Sequence, residues 1–383
     1  MIPAVDWITQ AALGALIGEL MMGKRLGNRA LAWGALFGIL PELLEVLVSP
    51  VLDTARELTW GRGMGHSLVV MALGSWGIAR GLAKLWKREK ISVAQAGSFV
   101  FAVWWVHVMV DCFTVEGAAV LWPVMDKRVA FNFLDSIDFF FTGPLVVTVL
   151  WLAFLREPAA KKTRSKKPVP ASKRKKLLAW GLGLSAAYAL LAVGMKFVAS
   201  AGFDADLARR GTKYERRMET PTRFNILLWR SVVDRGNEFR VGYRSVFESR
   251  ESPVRWTIYL KGGDALTKVA TLRETKSLTS ISDGWWLARP YTKGAWLGDI
   301  RFPESRTWGS KKGMVDSRLA YSWVIDSSEK SDHLRQFSSD NGSPGDFLQR
   351  MAARVIGNRE TWEANPRLAG VAGSLPEFLP VEE

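Results

Sequence analysis

Long apolar stretches separated by short basic breaks fill roughly the first 200 residues of the chain, and polar, alternating stretches fill most of the rest. Crossing a bilayer takes about 20 mainly apolar residues. Six segments reach that length: 3–22, 30–48, 66–83, 92–115, 138–155 and 177–199. The first carries Asp6 near its start with no Lys or Arg before it. It lacks the positive n-region of a cleaved signal and reads as a retained span.

Beyond residue 200 the period shortens. FRVGYRSVF (239–247), VRWTIYL (254–260), WWLARPY (285–291), WLGDIRF (296–302) and LAYSWVI (319–325) read as strands. Turn signals such as Gly262–Gly263–Asp264 and Ser282–Asp283–Gly284 stand between them. A helix is expected near 331–357 and a tail from about 363. The predicted fold class is therefore an α-helical multi-pass membrane bundle of about six spans plus a smaller β-rich domain. Residues 1–200 form the transmembrane part, 201–362 the β-rich domain with its C-terminal helix, and 363–383 the tail.

Composition sharpens this picture. The chain has 383 residues, 52 Lys and Arg against 37 Asp and Glu, and a formal net charge of +15. Such a balance raises nucleic-acid binding, but the densest basic run, KKTRSKKPVPASKRKK within the loop 156–176, lies between two apolar spans. Orientation and attraction to anionic lipid account for it there, so no nucleic-acid partner is expected. The basic residues sit in alternate loops: Lys24, Arg25 and Arg29; then Lys84, Lys87, Arg88 and Lys90; then 156–176. The positive-inside rule then puts the N-terminus and the β-rich domain outside the cytoplasm.

A single cysteine excludes a disulfide framework and every Cys-based zinc finger or iron–sulfur site. Metal chemistry would fall to His and carboxylate, and the only histidines are His66, His107 and His333. His333, in SDHLRQF, reads as a solvated surface residue. Ionisable groups inside a span cost about 2.5–3.5 kcal/mol each on insertion scales. Asp6, Glu42, Glu45, His66, His107 and Asp111 bear that cost, and the orientation puts all six in the outer half of the membrane. Glu42 is about 18 Å from the inner end of its span, and His107 and Asp111 about 22 and 28 Å from theirs. His107 and Asp111, at i and i+4, share a helical face, as do Glu42 and Glu45 at i and i+3. A His–carboxylate group of this kind suits a divalent metal, with zinc or manganese preferred. The metal would be held by His66, His107 and Asp111, with Glu42 or Glu45. A structural His–Asp pair is the plainer alternative. In GRGMGHS (61–67), glycines around Arg62 would let backbone N–H groups and the guanidinium approach an anion.

Three stretches, LPELLE (40–45), GRGMGHS (61–67) and HVMVDCFTVEGAAVLWP (107–123), together resemble the membrane-bound metal-dependent hydrolase family typified by the YdjM and YbcI proteins. The likeness extends through DWITQAALGALIG (6–18) and GNRALAWGALFGIL (27–40) to PTRFNILLWRSVV (221–233) and VGYRS (241–245). His107, Asp111, Thr114, Gly117 and Pro123 in that order are its most specific part. The family's Pro-Asp-x-Asp element reads here with Glu42 and then Leu44. Its His-Arg-Gly-x-Thr-His-Ser element reads with Gly61 for the first His and Gly65 for Thr. The resemblance implies a metal-dependent phosphoester hydrolase at the membrane, acting on a phosphoester or lipid-linked substrate. It carries over Glu42, His66, His107 and Asp111 as metal ligands, with Asp6 a weaker candidate; Arg62 would bind the anion, and a spare glutamate, Glu42 or Glu45, would serve as base. The departures keep a second reading open, a catalytically degenerate membrane protein that binds a partner. Of the eighteen tryptophans, Trp229, Trp256, Trp285, Trp286, Trp296, Trp308 and Trp323 fall in or beside the β region. They fit a domain core best, and an exposed subset would serve a protein partner.

Overall fold

The computed structural model describes residues 4–53, 56, 63–155, 171–291, 293–308, 315–319, 321–328, 334–336 and 344–363. The chain divides into two compact units, Met1–Val51 with Trp60–Leu191 and Leu52–Thr59 with Ala192–Glu383. The loop residues 156–170, His333 and the tail from 364 lie outside the described residues.

The first unit is helical: α1 (Ala4–Leu26), α2 (Arg29–Gly38), α3 (Leu40–Val48), α4 (Leu68–Leu85), α5 (Val93–Phe113), α6 (Phe139–Phe154) and the start of α7 (Ala171–Arg209). Helix α4, helix α5 and Lys173–Arg209 are each long and apolar enough to cross a bilayer. The stretches Arg29–Gly38 and Leu40–Val51 pass only as a pair, bent by 50°. Three candidate spans, or four with the bent pair, are thus in evidence among the described residues. Helix α6 is apolar but only 16 residues long.

The expected second span is therefore broken. Pro41 stands in the first turn of α3, has no N–H, and its ring would clash with the carbonyl four residues back in a continuous helix. Ile39 leaves the helical region (φ −104°, ψ 8°) to make the break. Elsewhere the ends follow ordinary capping: Ser67 accepts from the N–H groups of Val69 and Val70, and Ser92 with Gln95 makes a capping box for α5. The core between these helices holds Phe37, Met71, Trp86, Phe99, Val103, Trp104 and Val108.

Helices α1 and α2 approach at glycines. A Cβ on Gly14 would land on the carbonyl oxygen of Gly34, one on Gly18 on that of Ala30, and one on Gly38 on that of Gln10. In lipid, where apolar side chains gain nothing by meeting, such backbone proximity is a main source of helix association.

The second unit contains antiparallel sheets. β1 (Arg216–Pro221), β2 (Leu228–Asp234), β3 (Glu238–Ser245) and β4 (Trp256–Leu260) pair in chain order. A second sheet has the order β10–β9–β6–β5, from β5 (Trp286–Tyr291), β6 (Gly294–Asp299), β9 (Ser322–Asp326) and β10 (Leu334–Gln336). β7 (Glu304–Trp308) and β8 (Val315–Leu319) form a hairpin. Helices α8 (Arg273–Ile281), α9 (Pro344–Val355) and α10 (Arg359–Glu363) complete the unit. The five strands read from the sequence are β3, β4, β5, β6 and β9. The helix expected over 331–357 starts later, at Pro344, because 334–336 pairs with β9 as a strand. Trp229, Trp256, Trp285, Trp296 and Trp323 are buried, as a core reading requires.

Glu248 is the electrostatic hub of this unit. It accepts from the Ser245 N–H at 3.0 Å, from buried Arg354 at 3.1 Å and from Arg359 at 2.8 Å. Burial pushes its carboxyl up, but the charges of Arg354 and Arg359 and the Ser245 N–H more than reverse this and leave it below 4.5. The charged form thus stabilises the folded state above about pH 4.5, and that contribution fades as the pH falls through this region. Glu248→Ala strands a buried guanidinium and is expected to cost about 3–5 kcal/mol, whereas Arg359→Ala at the rim costs under about 1 kcal/mol. Urea unfolding of the full-length protein, followed by tryptophan fluorescence at pH 7 and pH 4, checks both. Equal midpoints for wild type and Glu248→Ala at pH 7 would contradict it.

Candidate metal centre

Each cluster residue is placed by a local feature of the chain. Glu42 lies in the first turn of α3, just past the break, where the positive end of the helix dipole favours a carboxylate. The same break leaves the carbonyl of Gly38 at the end of α2, one of the acceptors a helix cannot use itself. His107 takes it, with Nδ1 at 2.7 Å from the Gly38 oxygen. Since a carbonyl only accepts, Nδ1 carries the hydrogen, and neutral His107 turns a bare Nε2 to the cluster.

His66 closes a turn ahead of α4, its N–H bonded to the carbonyl of Gly63 at 3.1 Å. Two contacts hold that turn: Trp104 Nε1 donates to the Gly65 carbonyl at 2.7 Å, and a Cβ on Gly65 would come within 3.2 Å of the Pro41 oxygen. The loop after α5 braces it from the other side. Ser67 Oγ donates to the Trp122 carbonyl, and the Leu68 N–H donates to Val120 at 3.0 Å. Thr114 Oγ1 caps the carbonyl of Asp111 at 2.9 Å, and Gly117 turns at φ +63°, where a Cβ would strike Val129. The Thr-x-x-Gly element thus supports the turn that carries His66.

The four side chains meet. His66 Nε2 is 2.7 Å from Asp111 Oδ2. His107 Nε2 is 3.2 Å from Asp111 Oδ2, 3.2 Å from Glu42 Oε1 and 3.3 Å from His66 Nε2. One ligand atom from each of Glu42, His66, His107 and Asp111 lies within 4.8 Å of the others, and all four residues are 1% exposed. Gln10 Nε2 donates to Asp111 Oδ1 at 2.9 Å, turning Oδ2 toward the histidines.

This arrangement fits a metal. Nε2 of each histidine and one oxygen each of Glu42 and Asp111 form a compact four-donor set of the kind that would hold a divalent cation. When His107 is neutral, its Nε2 and the facing oxygens of Glu42 and Asp111 offer three lone pairs that one cation could take. Two carboxylates and two neutral imidazoles carry the charge that one divalent cation cancels, without which their burial would be costly.

Of the metal ligands expected from sequence, four assemble. Asp6 belongs to α1, but its side chain lies outside the described residues, as does Arg62. Glu45 stands at the edge of the cluster, Oε1 3.8 Å from His66 Nδ1 and its side chain 17% exposed. Leu44, where the resembling family has a second acid, packs against the hydrophobic core. Gln10 and the Gly38 carbonyl carry no charge that would single them out in the sequence. Their signal was the paired Gly-x-x-x-Gly spacing at Gly14/Gly18 and Gly34/Gly38, which brings α1 against α2.

Comparison with known proteins bears on the same region. No curated protein and no solved structure matches the chain. A family model described as YdjM inner membrane protein matches residues 5–200, just over half of the chain and every residue of the cluster.

Proposed function

The chain belongs to the YdjM inner membrane protein family, and from that premise we propose that it is a metal-dependent hydrolase of phosphoesters, working near the outer face of the inner membrane. The observation that carries the reading is the convergence of Glu42, His66, His107 and Asp111, drawn from three separate stretches of helix and turn, at 1% exposure.

In this reading the helical unit crosses the membrane six times. The alternation of basic loops supports that count and an extracytoplasmic β-rich unit, since each span fixes the side of the next loop. The cluster then lies in the outer half, within reach of headgroup phosphates, and a lipid-linked phosphoester is the natural substrate.

Glu42, His66, His107 and Asp111 would hold the cation. Bound there, a divalent ion supplies Lewis acidity and an acidified water. The Gly38 carbonyl fixes the His107 tautomer, and Gln10 orients Asp111. Glu45, beside His66 and partly open to solvent, is the group placed to take a proton at a carboxylate oxygen, which is general-base work. Arg62, assigned from sequence alone, would bind the anionic group of the substrate.

The test is elemental analysis of purified full-length protein. Wild type is expected to retain about one divalent ion per chain, His107→Ala under a tenth of that, and chelator is expected to abolish hydrolysis of a generic phosphoester. Equal trace metal in both proteins would end the metal assignment. Metal without hydrolysis would favour the partner-binding reading, to which Leu44 and Gly61 point.

A further inference from the structure

The turns after α1 and after α4 are built largely from cations. Lys24 and Arg25 occupy the last turn of α1, and Arg29 opens α2. Lys84 lies in the last turn of α4, with Lys87 and Arg88 in the 3-10 turn that follows. Two of the arginines brace these turns against each other. Arg25 Nη1 donates to the Lys90 carbonyl at 3.0 Å and to Gln95 Oε1 at 2.8 Å, and Arg29 pairs with Glu89 at 2.8 Å.

Between the braced turns is a cavity of about 550 Å³, lined by Arg29, Lys84, Leu85, Lys87, Arg88 and Glu89. Its one carboxylate is already engaged, and the hydrogen bond from Arg29 holds Glu89 below the usual carboxylate range. Lys84, Lys87 and Arg88 form no ion pair among the described residues. Membrane orientation asks only that positive charge be present in a loop. It does not ask for charges arranged around a space, nor for two arginines cross-bracing the walls. Leu85, 58% exposed, gives the rim an apolar edge beside the cations.

We propose that this cavity is a binding site for a phosphate group, carried either by an anionic phospholipid or by a phosphate ester in solution. Arg29 and Arg88 offer guanidinium forks and Lys84 and Lys87 point charges, the donor set that phosphate oxygens take. A cation that lines the cavity is expected to contribute about a fivefold gain toward a phosphate bound within it, the size of one Lys or Arg close to an anionic headgroup. The site does not depend on the metal centre.

The experiment titrates the full-length protein in detergent with short-chain phosphatidylglycerol, with phosphatidylcholine and with inorganic phosphate. One saturable site per chain for phosphatidylglycerol or phosphate, and none for phosphatidylcholine, is expected. The triple variant Lys84→Gln/Lys87→Gln/Arg88→Gln should weaken it on the order of a hundredfold. The matched triple Lys173→Gln/Lys175→Gln/Lys176→Gln, on exposed positions of α7, removes the same charge and should weaken it under about twofold. Lipid binding that persists in saturating phosphate identifies the headgroup as ligand, and displacement by phosphate identifies the soluble ester. Equal weakening in both triples reduces the site to diffuse charge and overturns the proposal. So does any wild-type stoichiometry other than one, a reading independent of how well the variants insert.

Discussion

Asp111→Asn is expected to leave the helical unit folded and strip it of metal. Asp111 joins three partners: Oδ2 is 2.7 Å from His66 Nε2 and 3.2 Å from His107 Nε2, while Oδ1 accepts from Gln10 at 2.9 Å. Asparagine keeps the volume and an oxygen for Gln10, so packing in α5 is preserved. It loses the negative charge and turns an amide, a poor ligand, toward the histidines. With only Glu42 still charged, a divalent ion would be left half neutralised in a buried site. The loss should exceed the roughly 10–100-fold that removal of an outer-shell partner costs, and Gln10→Ala is expected to fall within that range. Metal per chain after dialysis, beside a thermal melt of each variant, distinguishes the three proteins. Wild-type metal in a folded Asp111→Asn variant would show that Asp111 is not a metal ligand.

Gly34→Val should empty the same site without touching a ligand. Its Cβ would overlap the backbone oxygen of Gly14, and backbone cannot rotate away as a side chain can. Helices α1 and α2 must separate, at a cost of about 1–3 kcal/mol or more. Each can remain a hydrogen-bonded helix in lipid, so the chain stays inserted. What is lost is register. Gln10 leaves Asp111, and the Gly38 carbonyl shifts from His107 Nδ1, to which it now stands at 2.7 Å. Losing two outer-shell partners at once predicts a fall in metal affinity of about 10²–10⁴-fold. Gly77→Val is the control, because a Cβ there meets nothing within 4 Å. If both variants keep their metal, the glycine contact does not position the centre.

These two variants also mark where sequence reading reached its limit. His107 and Asp111 were legible as a pair because a helix repeats every 3.6 residues, so i and i+4 share a face wherever the helix lies. Glu42 and His66 were legible as anomalies, since an ionisable group in a span asks for a reason. Gln10 gave no such signal, being neutral and one residue among many on α1. Its role appears only when the glycines set the distance to α2. Glu45 and Glu42 were equal candidates by spacing. The start of α3 separated them, turning Glu42 to the histidines and leaving Glu45 at the margin.

In the β-rich unit the alternating strands β3 to β6 and β9 were readable, but β1, β2 and the β7–β8 hairpin were not. β2, LWRSVVD, carries Arg230, Ser231 and Asp234 although it is buried along its whole length, so neither an unbroken apolar run nor a clean alternation marks it. Arg230 at its centre, 0% exposed, would have argued against burial altogether.

By itself, then, the sequence determined what is local or additive: a helical membrane half, a β-rich half, the basic loops, and a short set of residues able to hold a metal. Hydrophobic period and charge act within a single segment and need no partner. The tertiary structure alone decided which candidates share a point in space, that Gly38 and Gln10 serve them, and that the second apolar segment bends. Those depend on how closely two backbones approach, a distance set jointly by residues far apart in the chain and by none of them singly.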